Sequence, residues 1–156
     1  MESMAVSAAV NKLIIKEMVF LIWGIICTGF DIQYRAVPRW LAGAGAVLGL
    51  GMELVFWDSV PVSEAAVGLL PGIVGLLVYP LCQGRIGFGD ILYLLVSGLF
   101  LSGQYMLMAV VFGGGFAAAG CMIVLFTAKW KRRNVKNYSM PLIPFLYSGA
   151  VFAFLL

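Results

Sequence analysis

The sequence predicts an all-α polytopic membrane protein of about six transmembrane helices, with both termini outside. Three observations predict it. The first is composition: of 156 residues, 63% are hydrophobic and 11% charged, whereas about 25% are charged in a soluble domain. A core of this size cannot hide so much apolar surface, so lipid must be the solvent. The second is hydropathy, which divides the chain into six apolar segments. The third is the sorting of charge between the connections that join them. Residues 1–156 read as a single transmembrane domain, with no soluble domain and no zinc-cysteine domain.

The segments run near 18–34, 40–56, 65–82, 90–101, 104–128 and 141–156. The first lacks a small-residue cleavage site before its first charge, Asp31, and reads as a retained helix rather than a cleaved leader. Pro38 stands just ahead of the second; its fixed φ and missing N–H suit a helix start. The fourth is shorter than the ~20 residues of a full span. In the fifth, Gly113-Gly114-Gly115 and the small residues 117–120 read as a helix-packing face with no catalytic role.

Odd-numbered connections share one side of a six-helix protein. They carry Arg35, Arg39, Arg85, Lys129, Lys131, Arg132, Arg133 and Lys136, eight of the ten basic residues. Lys12 and Lys16 fall on the other side. The positive-inside rule then puts the odd connections in the cytoplasm of an inner or plasma membrane. The acids sort the opposite way: Glu2, Glu17, Glu53, Asp58 and Glu64 lie outside. Only Asp31 and Asp90 lie on the basic side, one closing the first segment and one opening the fourth.

An acid near a membrane is a functional candidate by default, since it costs roughly 2.5–3.5 kcal/mol at mid-bilayer. Two carboxyls delivered to one leaflet suit aspartyl catalysis. One, ionised, takes a proton from water; the other, protonated, polarises a scissile carbonyl. At close range both cannot ionise. The plainer alternative is two solvated edge acids paired with Arg35 and Arg85.

Gly87 and Gly89 flank Asp90 in Gly87-Phe88-Gly89-Asp90 and leave room for a substrate backbone drawn out as a strand. Arg35 and Pro38 follow Asp31 and complete the candidate substrate-binding set. Arg35 serves equally well as a lipid anchor. Helix ends would polarise the pair, the positive end beside Asp90 and the negative end beside Asp31, which makes Asp31 the expected holder of the shared proton.

Other chemistries drop out. Without histidine there is no His-based general base, no HExxH zinc site and no Ser-His dyad. Cys27, Cys82 and Cys121 are too scattered for a disulfide framework or a zinc knuckle. No metal and no cofactor are expected. The basic stretch 129–136 reads as an anchor on anionic lipid, too short for nucleic-acid binding.

Together these residues resemble the type IV prepilin peptidase family of GxGD membrane aspartyl proteases. Asp31 followed by Val37-Pro38 is similar to the family's first aspartate and its downstream Ile/Val-Pro. Gly87-Phe88-Gly89-Asp90 is similar to the second motif. Pro141-Leu142-Ile143-Pro144-Phe145-Leu146, with Gly149 beyond, resembles the proline-rich opening of the last helix. Two positions depart from the pattern: Arg39, often Asn, and Leu92, often Lys. The resemblance implies an aspartic endopeptidase with Asp31 and Asp90 as catalytic pair. Its substrate would be a pilin-like precursor of type IV pilus systems, cut after a glycine at the cytoplasmic face. Long members also N-methylate their product through a zinc-cysteine domain; this chain is similar to the short Tad/Flp form, for which no methyl transfer is expected. Two other classes stay open: a signal-peptide-peptidase-like protease, and a non-enzymatic transporter or assembly subunit using Asp31 and Asp90 for ion pairing.

Overall fold

The computed structural model describes residues 2–56, 62–82, 87–130 and 140–156, with backbone alone for 2–9 and 62. The helices are α1 Glu2–Tyr34, α2 Arg39–Val55, α3 Val62–Val78 with a 3-10 turn at Tyr79–Cys82, α4 Phe88–Phe100, α5 Gly103–Trp130 and α6 Ile143–Leu155. No strand occurs among the described residues. The protein is an all-α polytopic membrane protein. The expected positions of Asp58, Arg85 and the basic residues 131–136 lie outside the described residues.

Hydropathy marked five helix starts to within a few residues and misplaced one. α1 begins at Glu2 rather than near residue 18. Residues 2–17 contain no Gly or Pro, so nothing stops the helix when the apolar run ends. Lys16 therefore sits inside α1, only 3% exposed, and not in an outer tail. Its Nζ donates to Glu53 Oε1 at 2.6 Å. Lys12 lies over the Phe56 ring, 5.9 Å from its centroid.

The ion pair fixes the register of an α1–α2 hairpin. Asp31 stands about 22 Å along α1 from Lys16, and Arg39 about 21 Å along α2 from Glu53. One end of the bundle thus holds Lys16 and Glu53, and the other holds Asp31 and the turn to Pro38. Halfway between, Trp23 donates from Nε1 to the Leu41 carbonyl at 3.1 Å and stacks on Tyr93 at 5.2 Å. That one side chain ties α1, α2 and α4 together. Phe20 and Phe100 pack on it, and Phe154 and Tyr147 close around Phe20.

Small residues set the helix spacings. A Cβ on Gly68 would stand 2.8 Å from the Gly98 carbonyl oxygen, so α3 and α4 cross backbone to backbone. A Cβ on Gly113 would meet Leu146 Cα at 2.7 Å, and one on Gly149 would run into the Gly113 amide. α5 packs more extensively on α6 than on any other helix. The expected packing face of α5 is thus real at Gly113 and Gly120, but Gly114 and Gly115 have nothing within 4 Å. Neighbours in a helix point 100° apart, so three glycines in a row cannot share one seam.

Three stretches are long and apolar enough to cross a membrane by themselves: Val10–Tyr34, Ser63–Cys82 and Gly103–Trp130. α4 and α6 have 13 residues each, about 20 Å against ~30 Å of hydrocarbon. Both begin at the end of the bundle that holds Asp31 and the turn to Pro38.

Candidate active site

α1 ends because Arg35 turns left-handed, with φ 52°, while its amide still donates to the Asp31 carbonyl at 2.9 Å. That conformation is uncommon outside glycine and costs about 1–3 kcal/mol. It throws residues 35–37 away from the helix axis. Pro38, at φ −59° and ψ 134°, then caps α2, its carbonyl accepting from the Leu41 and Ala42 amides. Pro38 is the residue before the first helical position rather than the first helical residue itself.

Asp31 lies one turn before this break and is 5% exposed. Its Oδ2 accepts from the Ile143 amide at 3.1 Å. Ile143 opens α6, where backbone N–H groups have no helical partner. Pro144 next to it has no N–H at all, and the Phe145 and Leu146 amides turn back to the Leu142 carbonyl. The amide left over is the one aimed at Asp31. The proline-rich opening of the last helix is therefore a carboxylate-holding element.

Gly87 caps α4 and accepts from the Asp90 amide at 3.1 Å. Asp90 sits in the first turn, half-buried. The two glycines around it face different neighbours. A Cβ on Gly87 would stand 2.8 Å from Asp90 Oδ2, whereas one on Gly89 would lie 3.5 Å from the Val37 amide nitrogen. Gly87 leaves space for the carboxyl, and Gly89 lets the α1–α2 turn approach α4.

These elements enclose a cavity of about 630 Å³ at the end of the bundle. Asp31, Arg35, Gly87, Gly89 and Asp90 all line it. Pro38 is not among the lining residues and acts on the site through the turn it fixes. The helix-end expectation for the shared proton changes here. The negative end of α1 and the positive end of α6 both bear on Asp31, in opposite senses, so helix ends do not divide the roles of the pair.

Three contributors escaped the sequence reading. Ile143 acts through its amide, which no side-chain pattern reveals. Cys121 and Met140 also line the cavity, with the Cys121 thiol 3.5 Å from the Met140 sulfur. They come from α5 and from the residue before Pro141, outside both aspartate motifs. All three cysteines are free thiols.

A model of the type IV leader peptidase family matches residues 18–124. That stretch takes in Asp31, the Pro38 turn and the glycines around Asp90, and it ends before α6. No curated protein and no solved structure matches the chain.

Proposed function

The chain belongs to the type IV leader peptidase family, and from that premise we propose that it is an aspartic endopeptidase whose catalytic pair is Asp31 and Asp90. Membership makes it a membrane peptidase in general terms. The finer reading is carried by one observation: two carboxyls from helices nearly sixty residues apart line the same cavity.

In this reading one carboxylate takes a proton from a water in the cavity. The hydroxide so formed attacks the scissile carbonyl carbon. The protonated partner hydrogen-bonds the carbonyl oxygen and gives its proton as the tetrahedral adduct forms. On collapse the C–N bond breaks, and the carboxyl that took the water's proton passes it to the leaving nitrogen. Its partner takes a proton back from a hydroxyl of the adduct as the new carboxyl group forms. The Ile143 amide holds Asp31 in place through these transfers. Roles of acid and base belong to the pair and are not divided between its members. Water enters the cavity from the end of the bundle where α4 and α6 begin.

Gly87 and Gly89 admit the substrate backbone beside Asp90, and residues 35–37, held by the turn that Pro38 fixes, form the facing wall. The substrate is a pilin-like precursor, cut at its leader on the cytoplasmic side of the inner or plasma membrane. Residues 1–156 act as one transmembrane domain with both termini outside. No metal or other cofactor takes part. The new N-terminus leaves unmethylated, as expected of the short form this chain resembles.

The test is reconstitution of the full chain in liposomes with a pilin-like precursor. Loss of the leader, with a product mass equal to the free amine, is expected. An intact precursor with proton-coupled transport instead would make the chain a carrier, and a product 14 Da heavier in a parallel assay supplied with a methyl donor would refute the absence of methyl transfer.

A further inference from the structure

Beside the cavity that holds the two aspartates lies a second space of about 230 Å³. It is bounded by the start of α4, by α5 and by the opening of α6. Gly87, Asp90, Cys121, Met140, Pro141 and Leu142 border both spaces, so the second is a side branch of the first. The second runs on past them to Ala117 and Phe145, which the first does not reach. Resting on the proposed catalytic pair, we infer that this side pocket receives the side chain of a substrate residue flanking the scissile bond, with Ala117 setting the size it accepts.

Position argues first. A substrate backbone laid against Gly87 for attack beside Asp90 has the next side chain at the pocket's mouth. Shape and chemistry argue second. An apolar cavity of about 150 Å³ takes a benzene molecule, so this pocket admits a branched aliphatic or aromatic side chain. Among the described residues its walls are apolar apart from the Asp90 carboxyl and the Cys121 thiol. An acidic side chain would meet the Asp90 carboxyl, and a small one would leave the space unfilled.

The local sequence explains the space. Gly113, Ala117 and Cys121 follow at one-turn intervals on α5 and share a face. At Gly113 that face is closed by α6, with Leu146 against it. Gly120 is closed by Met140 and Phe145. At Ala117 and Cys121 it opens on the pocket. Every methylene added at position 117 would subtract from the room for substrate. Ala118 is exposed on the outside of α5 and borders neither space.

The experiment uses the full chain in liposomes and a pilin-like precursor that it cleaves, the cut mapped by mass spectrometry. Each residue flanking the cut is replaced in turn by Ala, Leu or Phe. The wild type is expected to prefer the large side chain at one flank, by about tenfold or more in kcat/KM. Ala117→Leu should cancel or reverse that ratio, and Ala118→Leu should leave it in place. An inserted Ala117→Leu protein with the wild-type ratio overturns the inference. So does equal treatment of Ala, Leu and Phe at both flanks by the wild type.

A second readout does not need Ala117→Leu to fold. In a Cys82→Ser, Asp31→Asn background, bound precursor should slow maleimide modification of Cys121 at least threefold. A rate that follows the lipid composition and ignores the precursor assigns the pocket to lipid and overturns the inference. Normal cleavage by the Asp31→Asn protein would sink the catalytic pair instead, and the size ratio would still report on the pocket.

Discussion

Gly87 and Gly89 look equivalent in the sequence and are not equivalent in space. A methyl on Gly87 reaches Asp90 Oδ2 at 2.8 Å, and one on Gly89 stops at ordinary contact with Val37. Gly87 has φ −66°, which alanine adopts freely, so Gly87→Ala should cost at most about 1 kcal/mol in stability. It should nevertheless displace the Asp90 carboxyl and lower precursor cleavage by roughly tenfold to a hundredfold. Gly89→Ala should lose less. Steady-state cleavage beside thermal unfolding in detergent measures both, and a larger loss at Gly89 would contradict the geometry. The two aspartates and their glycines were legible because charge is scarce in this chain and each acid has few alternative explanations. Ile143 was illegible because its contribution is a backbone amide, and a backbone donor leaves no mark on residue type. Ala117 was hidden by the opposite problem: it sits in a run of small residues that packing alone accounts for.

Among the elements, the α1–α2 hairpin shows what buried charge does here. Lys16 and Glu53 meet at 2.6 Å with side chains 4% and 19% exposed. Glu53→Gln leaves the Lys16 ammonium buried without its counter-charge. We expect a loss of about 3 kcal/mol, the low end for such a pair because Glu53 is not fully enclosed. Lys16→Met combined with Glu53→Gln should recover most of it. Thermal unfolding in detergent reads both, and a single variant as stable as the wild type would show that the pair is not holding the hairpin. Five helix starts followed from hydropathy because a helix in lipid must be apolar over its exposed length. The start of α1 did not, because a helix can outrun its apolar stretch wherever nothing breaks it. Lys16 then finds its partner on another helix, which a linear reading of charge cannot see. The shortness of α4 was legible by count; that α6 is equally short and starts at the same end was not.

For the whole molecule, the account rests on all odd-numbered connections sharing one leaflet. The Asp31 turn, the start of α4 and the start of α6 do meet at one end of the bundle, around a single cavity. Which compartment that end faces is a prediction from the basic residues. A single cysteine at position 133, in a chain with its own cysteines removed, should react with an impermeant reagent only from the cytoplasm. One at Ser59 should react only from outside. Reaction of both from the same side would dissolve the shared-leaflet argument. The central claim is narrower, that Asp31 and Asp90 act as one catalytic unit, and cleavage of a pilin-like precursor by Asp31→Asn and Asp90→Asn proteins tests it most directly. Both variants should insert like the wild type and leave the precursor uncut, because each removes one half of the proton exchange, while Asp58→Asn should cleave normally. Processing at the wild-type rate by either Asp31→Asn or Asp90→Asn would contradict the account.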